Sequence, residues 1–313
     1  MNTKNHKFYW IVSLVIMLSA CSSVKNIPEN DALFTGSKIE IVETPLLPKD
    51  KKNVLAELKT LPVPRPNRKF LWMPFKLWMH NLGSEKGIGK WIRKKFGEPP
   101  VLLSQVNENL NSQILDNYLE NRGFFQVRVD NEIIKKGKKA LIKYEILTGP
   151  EYRVRDISFP KDSGELAEAI RATESGTLLK AGTPFNLNAI IAERTRINTI
   201  LKDKGYYFFN DDYLLLESDT TIGNNEVAMY LTIKNITPEE AKHPYTIKSV
   251  VIYPNYELSN NRQEVDSTSI QVGERFVIID STQIFKPIVF ESAMQFRPGD
   301  LYSRKNHNAT LSR

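Results

Sequence analysis

The chain has 313 residues, enough for more than one compact domain at roughly 100–200 residues each. Hydrophobic residues make up 41% and charged residues 25%, which excludes a low-complexity or disordered polymer. The net charge of +7 is too moderate to point to nucleic acid, and bears on solubility and on attraction to anionic surfaces.

Met1–Ala20 carries Lys4 and Lys7, then an apolar run from Phe8 to Leu18, then Ser19-Ala20-Cys21. A positive start, a short apolar stretch and small residues at a cleavage point predict a secretory signal peptide over 1–20. A membrane-spanning helix fails here on length, since a bilayer needs about 20 apolar residues. Leu18-Ser19-Ala20-Cys21 resembles the bacterial lipobox, and the resemblance implies acylation of Cys21. Cys21 is also the only cysteine, so the chain has no intramolecular disulfide to form in an oxidising compartment. Ser22 follows it, where many inner-membrane lipoproteins carry Asp, so the outer membrane is the expected destination. Ser22–Asn26 holds no acidic residue, which favours the periplasmic side over the cell surface.

The next distinctive stretch runs from about 46 to 100. Between Arg65 and Lys95 it holds nine Lys or Arg residues, interleaved with Phe70, Trp72, Phe75, Trp78, Trp91 and Phe96. Basic residues mixed with Trp and Phe suit a membrane interface, with Trp72, Trp78, Trp91, Arg93, Lys94 and Lys95 as the candidate contacts. Two other readings stay open. The aromatics could pack this stretch onto its neighbours while the cations are solvated, or the mixture could bind single-stranded nucleic acid. An exported protein rarely meets the latter, so nucleic acid is not an expected partner.

A repeat follows. Asn121-Arg122-Gly123-Phe124-Phe125 and Asp203-Lys204-Gly205-Tyr206-Tyr207 each close a stretch of helical spacing. Each glycine lies 19 residues after a potential N-cap, Ser104 and Asn186. Gly123 and Gly205 are therefore expected to end helices in the left-handed conformation. Strands follow each one. Phe125, Val127 and Val129 alternate with polar residues up to a turn at Lys136-Gly137-Lys138, after which Ile142, Tyr144 and Ile146 share a face. The second copy gives Tyr213 and Leu215, a turn near Gly223-Asn224-Asn225, then Val227, Met229, Leu231 and Ile233. A shorter helix is predicted over Ser163–Ala172. Tyr152, Val154, Ile157 and Phe159 change phase, as do Tyr245, Ile247, Val250 and Ile252, so both copies are expected to share a β-bulge.

A third copy opens at Tyr245, with Gly299, Tyr302 and Ser303 standing for Gly182, Phe185 and Asn186. The spacing rule puts its closing glycine past Arg313, so the sequence is expected to stop inside the third long helix. The reading is thus α+β, with tandem strand–helix–helix–strand–strand units, two complete and a third truncated, at 21–148, 149–236 and 243–313.

Such a unit, with a Gly-aromatic pair closing its second helix, resembles the POTRA (polypeptide transport-associated) domain. Tandem copies behind a signal peptide resemble the periplasmic part of the BamA/TamA superfamily. With the lipobox, the chain is similar to the lipidated TamL branch, and Asn26-Ile27-Pro28-Glu29-Asn30-Asp31-Ala32-Leu33-Phe34-Thr35-Gly36 resembles the way those proteins begin. The insertion at 46–100 departs from the pattern. The resemblance implies a non-enzymatic, periplasm-facing part of an outer-membrane protein assembly factor. Its implied partners are unfolded β-barrel precursors, a TamB-like periplasm-spanning protein, and outer-membrane lipid through Cys21. A lipoprotein interaction scaffold without a barrel is the alternative.

No catalytic pattern competes with this reading. His6, His80, His243 and His307 have no metal-ligand spacing, and no cofactor or metal is expected. Gly87-Ile88-Gly89-Lys90 lacks the Gly and the Ser/Thr that a phosphate loop needs at Ser84 and Trp91.

Overall fold

The computed structural model describes residues 24, 26–70, 73–83, 86–254, 270–272, 275–280 and 285–312. The predicted signal segment, Cys21 and Trp72 lie outside the described residues. The chain divides into two compact units, Met1–Glu151 and Tyr152–Arg313.

In the first unit, β1 (Leu33–Glu43) leads into α1 (Pro48–Leu58), α2 (Phe75–Leu82) and α3 (Gly87–Phe96). A 3-10 turn at Leu103–Gln105 precedes α4 (Glu108–Glu120), and the hairpin β2 (Arg128–Lys136) and β3 (Lys139–Leu147) completes the unit. Pro48 begins α1, where a missing amide costs nothing because the first turn's donors have no helical acceptor. β3 is the central strand, parallel to β1 and antiparallel to β2. Its alternation is as the sequence predicts. Ile142, Tyr144 and Ile146 are fully buried against Leu115 and Leu119 of α4, while Lys143 on the other face pairs with Glu40 and Glu145.

The second unit opens with β4 (Arg153–Ser158), α5 (Glu165–Arg171) and α6 (Leu187–Asp203), followed by β5 (Leu214–Asp219) and β6 (Glu226–Ile233). The sheet repeats the first one, with β6 central, parallel to β4 and antiparallel to β5. The register shifts between Val154 and Asp156, and this bulge accounts for the phase change along the strand. Its core joins Leu166 and Ile170 of α5 to Ile197 and Leu201 of α6 and to Leu231 of β6.

Four expectations need correction. Val54 and Leu58 of α1 belong to the first unit's core, so α1 is the counterpart of α5, and the true insertion begins after it. Ser104 does not cap the long helix: Asn107 does, accepting from the Leu110 amide. Ser104 instead donates its hydroxyl to Asp31 at 2.6 Å, and this bond holds the Asp31 carboxyl below its ordinary range. In β5 it is Leu214 and Leu216 that join the core, while Leu215 is exposed. Tyr213 packs on the core as expected, but from a 3-10 turn capped by the Asn210 side chain, and the strand starts after it in the other phase.

The fourth correction concerns the third copy. Its opening strand is offset by 93 residues from the second copy, but its helix cap by 117, so extra chain lies between them. That chain holds β8 (Ile270–Val272) and β9 (Val277–Ile279), which form a sheet in the order β7-β9-β8 with β7 (Val251–Ile252). Among the described residues, β7, β9 and β8 therefore all precede the helices α7 (Pro287–Ala293) and α8 (Arg304–Leu311). Among the described residues the opening strand here is too short to show the expected shared bulge.

One detail is common to all three copies. A single antiparallel bridge joins the opening segment to the residue just ahead of the long helix: Leu33 to Leu102, Arg153 to Pro184, Thr246 to Leu301. Two residues further on stand Ser104, Asn186 and Ser303. Asn186 and Ser303 cap their helices by accepting backbone amides, so only the first copy delays its helix by a turn.

Candidate functional site

The helix ends set up the sheets. Gly123 has φ +89 and Gly205 φ +96, a region that L side chains avoid. In both, the aromatic after the glycine donates its amide back five residues: Phe124 to the Leu119 carbonyl at 3.1 Å, and Tyr206 to Leu201 at 3.0 Å. This reversal buries Phe124 and Tyr206 in their cores and releases the chain toward β2 and β5. Gly205 has a second duty within its unit. A Cβ there would stand 2.7 Å from Leu301 and 2.9 Å from Pro244. Beside it, the Asp203 carboxylate accepts from the Lys305 amide and the Ser303 hydroxyl at the start of α8.

Among the described residues, each of the first two sheets has one edge that is partly covered and one that no strand pairs with. The β1 edge is met by the Leu102 bridge, and Pro66 stands beside Gly36. The β4 edge is met by Pro184, with the Val154 amide donating to the Thr183 carbonyl. β2 and β5 pair only with β3 and β6 among the described strands. Roughly half the amides and carbonyls of an antiparallel edge strand face away from its partner and remain available to another chain. β2 is nine residues long, while β5 has six. Arg128, Asp130, Glu132, Lys135 and Lys136 put charge along β2, a pattern that discourages self-pairing of edges.

The path between α1 and α4 of the first unit is a helical hairpin packed through its small residues. A Cβ on Gly83 would stand 2.6 Å from the Arg93 Cβ, and one on Gly97 would stand 2.9 Å from the His80 Cα. Both glycines have ordinary backbone angles, so close approach, not conformation, requires them. The bulky residues consequently face outward. α3 has no buried residue; Ile88 is 79% exposed, Trp91 55% and Phe96 46%. Lys95 stands over the Trp91 ring at 4.9 Å. Arg93 turns inward and donates Nε to His80 Nε2 at 3.0 Å. Burial, and then the Arg93 charge, hold His80 below its ordinary value and keep it neutral at pH 7. Lys90, Arg93 and Lys94 line a cavity of about 600 Å³ beside His80. Trp78 is half-buried and stacks on Phe75. The hairpin is tied to the unit by Leu77, which is fully buried against Ile27 and Leu33. Of the candidate interface residues, Trp91, Lys94 and Lys95 are exposed together, Arg93 faces His80, and Trp78 is drawn partly in.

Sequence reasoning missed Glu193. It lies on α6 with no exposed surface, bonded to Arg196 at 2.7 Å and accepting the Leu178 amide at 2.9 Å. Arg196 also donates to the Thr173 carbonyl. Burial raises the Glu193 carboxyl's pKa, but the Arg196 and Leu178 bonds outweigh it and the net shift is downward. The pair sews the loop after α5 onto α6. Its only trace in the sequence is Glu193 and Arg196 one helical turn apart, which usually marks a solvated face.

Among the described residues no helix is long and apolar enough to cross a membrane, and no cluster of His, Cys, Asp or Glu is arranged to hold a metal ion. No family model matches the sequence, and no curated protein matches it. Solved structures do align with it. BamA POTRA3-5 from Haemophilus influenzae aligns over 91% of this chain and 86% of its own, at 12% identity and a TM-score of 0.41. The N-terminal domain of Omp85 from Thermosynechococcus elongatus aligns over 91% and 86%, at 14% identity and a TM-score of 0.30. POTRA1-3 of Omp85 from Anabaena aligns over 91% and 84%, at 12% and 0.29. The fold described above stands on its own hydrogen-bond pattern, and likenesses of this size add nothing about what the chain does.

Proposed function

We propose that this chain is the lipid-anchored, periplasm-facing part of an outer-membrane protein assembly factor, and that it handles unfolded β-barrel precursors by strand addition. The supporting observation is that two copies of one sheet present the same open antiparallel edge, β2 and β5, while the opposite edges are partly covered. Added strands bind through backbone hydrogen bonds, which demand little of the client's sequence. A barrel strand crosses a membrane in about 9–11 residues, close to the length of β2. The Leu18–Cys21 lipobox supports anchoring in the outer membrane, and the same edges are available to a TamB-like periplasmic partner. Binding, not bond chemistry, is the proposed activity.

Two neighbouring substitutions test the edge. The amides of Ile133 and Ile134 point to opposite sides of β2, so Ile133→Pro and Ile134→Pro remove one ladder donor and one outward donor. Thermal unfolding tells which variant keeps the ladder. That variant should lose binding to an extended barrel-strand peptide. Full binding by a stable edge variant would refute strand addition at β2.

A further inference from the structure

The start of the described chain fixes where the inserted hairpin sits relative to a lipid anchor. Val24 packs on the cluster of Ile27, Leu33 and Leu77, and Leu77 is the buried anchor of α2. Asn26 donates its side-chain amide to Asn81, also on α2, at 3.3 Å. Cys21 is three residues before Val24, and three residues span at most about 10–11 Å when fully extended. An acyl chain on Cys21 therefore holds the side of α2 that carries Leu77 within about one helix diameter of the bilayer surface, with α3 packed on α2 through Gly83 and Gly97.

The outward side of α3 suits that surface. Ile88, Trp91, Ile92 and Phe96 fall on one stripe at helical spacing, with Lys95 within it and Lys94 beside its Trp91 edge, while Lys90 lies on the side towards His80. The close approach to α2 is made by glycines and by Arg93, and Ile88, Trp91 and Phe96 of the stripe are exposed. The described residues of α2 and α3 contain no acid. Apolar rings between cations match an interface of acyl chains beneath anionic phosphates.

We infer that the α2–α3 hairpin docks on the bilayer that carries the anchor, with the Ile88–Trp91–Phe96 stripe at the headgroup level and Lys94 and Lys95 on anionic lipid phosphates. This rests on the reading of Cys21 as the acylated residue, and is independent of strand addition at β2.

The test uses the chain from Ser22 onward, which holds every described element and no acyl group, with vesicles of phosphatidylglycerol and phosphatidylcholine. Sedimentation should show binding to the mixed vesicles at low salt, little binding to pure phosphatidylcholine, and loss at high salt. At about 1 kcal/mol per basic residue near the surface, or about fivefold each, Lys94→Gln and Lys95→Gln together should weaken partitioning about 25-fold. Trp91→Ala should weaken it further. Lys135→Gln with Lys136→Gln on β2 is the control and should change it little. No partitioning at low salt, equal binding to neutral vesicles, or equal loss in the control overturns hairpin docking. The mass of the mature protein separates the two premises. An unmodified Cys21 overturns the anchor and the placement with it, whereas an acylated Cys21 with failed partitioning overturns the hairpin alone.

Discussion

The two complete copies solve one connection in opposite ways. Each must carry the chain from a short helix to the start of a long one. The second copy does so in the stretch between Arg171 and Leu187, and fastens it to α6 with the buried Glu193–Arg196 pair. The first copy takes the far longer path between Leu58 and Glu108 and spends it on a hairpin whose Gly83 and Gly97 face in and whose Phe75, Trp91 and Phe96 are exposed. The sheet and the two core helices are the same in both. The connection is therefore where the two copies differ most: a buried ion pair fastens it in one, and exposed rings line it in the other.

The largest expected effect breaks the tight connection. Glu193→Ala strands Arg196 and the Leu178 amide in a buried place and should cost about 3–5 kcal/mol in chemical denaturation. A loss below about 1 kcal/mol would show that the loop does not depend on the pair. The same pair gives a pH dependence. The folded Glu193 pKa lies below the ordinary 4.5, so its contribution is complete above 4.5 and fades as pH falls through the depressed folded value. Glu193→Gln should flatten that acid limb.

Next comes the attachment of the long connection. Leu77→Ala removes the side chain that holds the hairpin to the unit, and should cost about 2–5 kcal/mol. If amide exchange in α2 and α3 stayed as slow as before, the hairpin would be held by something other than Leu77.

The helix-end glycines sharpen the comparison on a smaller scale. Gly123→Ala should cost about 1–2 kcal/mol for the left-handed backbone alone. Gly205→Ala adds a collision with Leu301 and Pro244, worth about 1–3 kcal/mol more, and should disturb α8 as well. Equal losses at the two positions would mean that the close approach at Gly205 relaxes freely. The smallest effect is Trp91→Ala, which removes no buried contact and should leave stability within about 0.5 kcal/mol. A large loss would mean that the ring packs on the unit after all.

What was legible in the sequence follows from what each signal depends on. Ile142, Tyr144 and Ile146 alternate because one face of β3 is buried, and a pattern of period two survives without knowledge of neighbours. Gly123 and Gly205 stand out because few residues tolerate their backbone angles. Ser104 misled because its position matches Asn186, yet its hydroxyl is claimed by Asp31, distant in sequence. Helix α1 falls inside the stretch read as insertion, because of its eleven residues only Val54, Leu55 and Leu58 pack on the core. The Glu193–Arg196 pair was invisible, since burial of a charged pair is decided by a loop that folds over it. The free edges were foreseeable only in kind: a three-stranded sheet must have two, but which one is covered depends on long-range bridges to Leu102 and Pro184.

The most direct test of strand addition is amide hydrogen exchange across β2 in the chain from Ser22 onward, with and without a ten-residue barrel-strand peptide. Slowed exchange at alternate residues of Arg128–Lys136, with β1 unchanged, is the predicted result. Peptide binding that leaves β2 exchange unchanged, or that protects β1 instead, would contradict it.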